Sequence, residues 1–128
     1  MSDPIVALAA WLTEAHRDLK KTENNALVAL HENKDEAGYR ALMRERAERL
    51  AALAAGGKEL LQGVPDPLHT DVSLRLSRFS QGARKALELD SVFYMSALLY
   101  PDEHKEGEPD NLERLIAGIK AGQLLKKA

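Results

Sequence analysis

Apolar residues recur along this chain at alternating steps of three and four, the spacing that keeps one face of a helix turned toward a neighbour. Ile5, Leu8, Leu12, Ala15, Leu19, Thr22, Ala26 and Leu30 form the first such row. Tyr39, Leu42, Arg46, Leu50, Leu53 and Leu60 nearly keep the rhythm in a second. The third runs through Val72, Leu76, Phe79, Ala83, Leu87, Asp90, Tyr94 and Ala97 and stops at Pro101, and a shorter fourth uses Leu112, Leu115, Ile116 and Ile119.

Helix-start signals agree with these rows. An acidic residue precedes proline at Asp3-Pro4, Asp66-Pro67 and Glu108-Pro109. A carboxylate there can accept an orphan N–H, and proline at the first helical position gives up no hydrogen bond. Asn33 with Glu36 supplies a further start. Asp110 with Glu113 makes an acidic capping box that competes with Glu108 for the last one. The pattern predicts one all-α domain over residues 1–128, a four-helix, mainly antiparallel up-down bundle with a shorter fourth helix. Its helices fall near residues 4–31, 35–62, 67–100 and 110–125.

Two places strain this scheme. The polar run at residues 20–25 would give five helices if it broke the first, but the apolar phase is the same on both sides, which favours continuity. Gly56-Gly57 kinks or ends the second helix, and Gly63 closes it. Residues 101–109, charged and glycine-containing, read as a mobile loop. Gly118 and Gly122 would let the last helix approach another closely.

Composition narrows the fold without naming a function. Of 128 residues, 70 are Ala, Leu, Glu, Lys or Arg, whereas Val, Ile and Thr number only 5, 3 and 3, too few for a sheet-based fold. With no cysteine there is no disulfide, thiolate metal site or cysteine nucleophile. The acid and proline after Ser2 are unlike a secretory signal, and no apolar run reaches the length of a membrane span. A cytoplasmic protein with no membrane segment is expected.

Catalytic motifs are missing. Ala55-Gly56-Gly57-Lys58-Glu59 has the Gly-Lys of a phosphate loop but lacks its first glycine, its hydroxyl residue and a preceding strand. His16-Arg17-Asp18-Leu19-Lys20 places its lysine four positions on, with no following glycine, so it is not the phosphotransfer motif of helical bundles. His16 reads as a partly exposed helical histidine. No cofactor is implied.

The formal net charge of −2 conceals a strong pattern. Residues 72–87 carry Arg75, Arg78, Arg84 and Lys85 with no acid, and residues 88–113 carry eight acids against Lys105. A helix dipole prefers the opposite order, so it does not explain the basic stripe. Pairing with Glu45, Glu48 or Glu59 or plain solvation would account for it, as would an acidic surface on a partner protein. Nucleic acid is disfavoured, because positive charge is sparse and Phe79 has core spacing.

Residues 92–100 are apolar all round, and the short fourth helix cannot shield three longer ones. A homodimer is therefore expected, with Phe93, Met95, Leu99 or Tyr100 on its face. An antiparallel two-fold pairing of third helices would set each basic half against an acidic one. Up-down connections would also gather His31, Asp35, Glu103 and His104 at one end, weak candidates for a divalent metal among many carboxylates. Arg46 and Asp90 both occupy core-phase positions and are candidates for a buried pair. The reading is a non-enzymatic helical interaction or adaptor-type protein that self-associates through its third helix. The alternative is a small-ligand or metal-binding bundle, an enzyme included, with its site between helices or at the acidic loop end.

Overall fold

A computed structural model describes residues 3–127, with side chains through residue 122. The fold is all-α, with no strand among the described residues. Four long helices, α1 (Pro4–His31), α2 (Glu36–Ala51), α5 (Leu68–Glu88) and α7 (Asn111–Lys127), are joined by three short ones, α3 (Leu53–Gly56), α4 (Lys58–Leu61) and α6 (Val92–Ala97). The long helices neighbour one another in the order α7, α1, α2, α5, and α4 lies between α1 and α5.

α1 is continuous through its polar run. Asp3 caps it by accepting the Ile5 N–H at 2.8 Å, and the buried Thr22 hydroxyl bonds back to the Asp18 carbonyl at 3.0 Å. A threonine satisfied by its own helix can occupy a core position without breaking it. The α1–α2 turn delivers an antiparallel hairpin capped by Asp35, which accepts the Gly38 N–H at 2.8 Å, and not by Asn33. Ala26 of α1 accordingly meets Met43 and Ala47 of α2, whereas Leu8 and Leu12 share a cluster with Leu50 and Leu53.

The second predicted helix is broken into α2, α3 and α4. Ser80 of α5 spans the first break, its hydroxyl donating to the Leu50 carbonyl (2.9 Å) and accepting the Ala54 N–H (3.0 Å). Gly56 and Gly57 leave room for an aromatic ring: a Cβ at either would sit 3.1 or 3.0 Å from the Trp11 indole. Gly118 and Gly122 face open space among the described residues, so the close helix approach expected there is absent.

The largest departure lies in the third helix, expected to run from 67 to 100. It ends at Glu88, Asp90 turns the chain with φ of 49°, and Ser91 starts α6 by accepting the Tyr94 N–H at 3.2 Å. Aspartate is one of the few side chains that tolerate a left-handed backbone, and serine is a strong cap. The break folds α6 back across α2, burying Met95 and Leu99. Among the described residues no helix is long and apolar enough to cross a membrane.

Candidate functional site

Two regions could carry function: a polar junction on α1 and an apolar wedge where α5 meets α6. The junction follows from helical spacing. His16, Lys20, Glu23 and Leu27 stand at steps of four, three and four, so they line one face of α1. Residues 98–110 pass along that face.

At its centre Arg46 is 2 % exposed. Its guanidinium donates from Nη1 to the Met95 carbonyl (3.0 Å) and from Nη2 to the Leu98 carbonyl (2.9 Å). Both carbonyls lie at the end of α6, where the Met95 carbonyl also accepts the Leu98 N–H at 3.4 Å. Nη2 also lies 3.9 Å from Glu23 Oε2, while Arg46 Nε is buried with no hydrogen bond. The Tyr100 hydroxyl donates to the Glu23 carboxylate, at 2.7 and 2.8 Å from its two oxygens, and accepts from Lys20 Nζ at 3.2 Å. Lys20 Nζ also reaches Glu23 Oε1 at 2.8 Å. The Glu23 bond, supported by Tyr100, raises the Lys20 pKa against the effect of burial. Burial first, and then the Glu23 bond, push the Tyr100 phenol above its usual value.

One turn toward the N-terminus, His16 Nε2 donates to Asp110 Oδ2 at 2.8 Å and lies 3.6 Å from Glu113 Oε1. Asp110 and Glu113 form the predicted capping box: Asp110 Oδ1 accepts the Glu113 N–H (2.8 Å), and Glu113 Oε1 accepts the Asp110 N–H (3.1 Å). The Asp110 bond raises the His16 pKa, outweighing burial. Burial pushes Asp110 up, but the His16 bond and the N–H groups of Glu113 and Leu112 hold it below the ordinary carboxylate range.

Ligand atoms of His16, Asp110 and Glu113 lie within 4.8 Å of one another, so these are the residues that could hold a metal ion. Each is already engaged in fastening α7 to α1, and the Lys20 charge nearby opposes a cation. The trio acts as a structural junction. A cleft of about 640 Å³ opens beside it, lined by Lys20, Glu23, Leu27, Tyr100 and His104 among others. Residues 101–109, expected to be mobile, are tied internally: His104 Nε2 donates to the Glu108 carbonyl (2.8 Å), and Glu108 Oε1 accepts the Lys105 N–H (2.8 Å). The chain enters through Leu99, whose φ of 75° is costly for a leucine. Its carbonyl accepts the Asn111 N–H at 2.8 Å, joining this segment to α7.

Several sequence expectations need correction. Arg46 is buried as foreseen, but Asp90 is not its partner: its side chain is 85 % exposed and meets Arg44 Nη1 at 3.1 Å. The chain reverses at Asp90, so its core-phase spacing no longer points inward. Of the four residues assigned to a dimer face, Met95 and Leu99 are core, and Tyr100 is held at the junction. Only Phe93 projects outward. His31, Asp35 and Glu103 are exposed, and with His104 they form no metal-ligand cluster among the described residues.

The wedge is the opposite kind of surface. Leu89 is 55 %, Phe93 73 % and Tyr94 54 % exposed, although all three are large and apolar or aromatic. The Phe93 and Tyr94 rings meet edge to face with centroids 5.6 Å apart. A groove of about 460 Å³ lies alongside, lined by Gly82, Lys85 and Ala86 of α5, by Leu89 just past its end, and by Tyr94, Ala97, Leu98, Tyr100 and Asp102. All four bases of the stripe are exposed. Arg75 pairs with Asp71 at 3.1 Å, but Arg78, Arg84 and Lys85 make no ion pair among the described residues. Glu45 and Glu48 pair within α2, not with the stripe. Comparison with protein-family models, curated proteins and solved structures finds no match for the chain.

Proposed function

We propose that this chain is a non-enzymatic interaction protein that self-associates through the surface formed by α5 and α6. One observation carries the reading: Leu89, Phe93 and Tyr94 are exposed together around a single turn. Scattered exposed apolar residues are ordinary, but a contiguous group bordered by charge is the usual mark of a contact surface. Paired aromatic rings supply area at low entropic cost and are favoured as binding anchors. The polar junction favours the same conclusion by contrast. Its acids, bases and hydroxyl are spent on one another and on the backbone, which leaves little free chemistry for a substrate.

The test is the mass in solution over a concentration series, for the wild type and for Phe93→Glu. The reading requires a concentration-dependent dimer that the substitution converts to monomer. A wild-type monomer throughout would remove it.

A further inference from the structure

The groove beside the wedge contains a glycine that its own chain does not require. Gly82 is exposed inside α5, where only proline is a poorer helix former than glycine. Gly56 and Gly57 make room for Trp11, but a Cβ at Gly82 would meet only the Leu98 side chain, at an ordinary 3.8 Å. Gly82 and Leu98 both line the groove, as do Ala86, Ala97 and Tyr94. Phe93 is not part of that lining, yet its ring meets the Tyr94 ring with centroids 5.6 Å apart. An exposed ring therefore stands beside an apolar recess that it does not occupy. We infer that the groove of each copy seats the Phe93 ring of a second copy, with a two-fold axis passing between ring and groove so that the copies exchange rings. The inference rests on the proposed self-association and names the side chain that enters the groove.

A two-fold contact uses one patch twice, so the patch must complement itself. A projecting ring next to a recess meets that condition, because each copy supplies what the other lacks. There is room for it: an apolar cavity of about 150 Å³ accepts benzene, and this groove measures about 460 Å³. Charge agrees as well. The lining holds one base, Lys85, and one acid, Asp102, so it matches an uncharged ring better than a strongly acidic or basic segment of some other partner. Aromatic anchors seated in a partner's pocket carry much of the energy of an interface. The competing arrangement, Phe93 stacked on Phe93 across the axis, makes no use of Gly82.

The deciding experiment fills the groove and leaves Phe93 in place, using full-length Gly82→Leu and, as a second filler, Ala97→Leu. Both positions are exposed, so melting temperatures no lower than that of the wild type are expected. Each variant should self-associate about tenfold more weakly by sedimentation. Gly82→Leu keeps its ring and Phe93→Glu keeps its groove, so a mixture of the two retains one of the two seats. The mixture should form a heterodimer, weaker than the wild-type dimer, at concentrations where neither variant associates alone. If the wild type dimerises and both filled variants dimerise equally well, the groove is not the seat, while self-association stands. If filling weakens the dimer but the mixture gains nothing over its components, the rings are not exchanged and the inference fails. If the wild type is a monomer, both readings fall.

Discussion

The α1 junction and the α5–α6 wedge differ in what they leave unsatisfied. At the junction, ionisable groups are buried or half-buried, and each has partners: Arg46 two carbonyls, though its Nε has none, Glu23 Tyr100 and Lys20, and Asp110 His16 and a backbone N–H. Polar chemistry there is consumed in holding α6, α7 and residues 98–110 to α1 and α2. At the wedge the polar groups are solvated, and the unmet requirement is apolar: Leu89, Phe93 and Tyr94 face water. Burial of a charge is costly unless paired, and exposure of a large ring is costly unless covered. The first region satisfies most of its polar groups internally; the second leaves apolar surface open, and the proposed self-association would cover it. The proposed contact therefore lies away from the conspicuous cluster of titratable residues.

Substitutions can break that contrast. The largest effect is expected from Arg46→Met, which takes a hydrogen bond from each of the Met95 and Leu98 carbonyls and removes a buried cation beside Glu23. Loss of about 3 kcal/mol in chemical denaturation is expected, by analogy with broken buried pairs. A neutral result would show that the network holds nothing. Tyr100→Phe, which deletes only the hydroxyl between Glu23 and Lys20, should cost about 1–2 kcal/mol in the same assay.

A smaller effect concerns pH. The folded pKa of His16 is raised, so its contribution is fully present below the unfolded value near 6.5 and fades as pH rises through the folded pKa. That of Asp110 is lowered, so its contribution is present above the unfolded value near 3.8 and fades as pH falls through the folded one. The junction should be most stabilising between these limits. Raising the pH from about 6 to about 8.5 should cost the wild type on the order of 1 kcal/mol. His16→Gln should lack that component. Parallel pH profiles of melting temperature for the two proteins would contradict the assignment.

Helix content, the continuity of α1 and the Asp110–Glu113 capping box were legible in the sequence, because they depend on neighbours a few residues apart. The break at residues 89–91 was legible in principle. Asp90 and Ser91 are a helix-stop and helix-start signal, but Asp90 also keeps the heptad phase, and that periodicity hid it. From this one misreading came the supposed Arg46–Asp90 pair and the assignment of Met95 and Leu99 to the surface. The junction left a fainter trace: His16, Lys20 and Glu23 form a polar row on a helix whose neighbouring face is apolar. A row like that shows a polar environment, but not that Tyr100 and Asp110, some 80 and 90 residues away, complete it. Contacts of such range follow from tertiary packing rather than local spacing.

The contrast rests finally on Phe93, which is 73 % exposed and contributes little to the monomer's core. Sedimentation equilibrium on the wild type and Phe93→Glu, with melting temperatures measured alongside, tests it most directly. The account predicts a wild-type dimer, a monomeric variant, and stabilities of the diluted monomers within about 0.5 kcal/mol of each other. A wild-type chain that stays monomeric at every concentration, or a variant that associates as the wild type does, would contradict it.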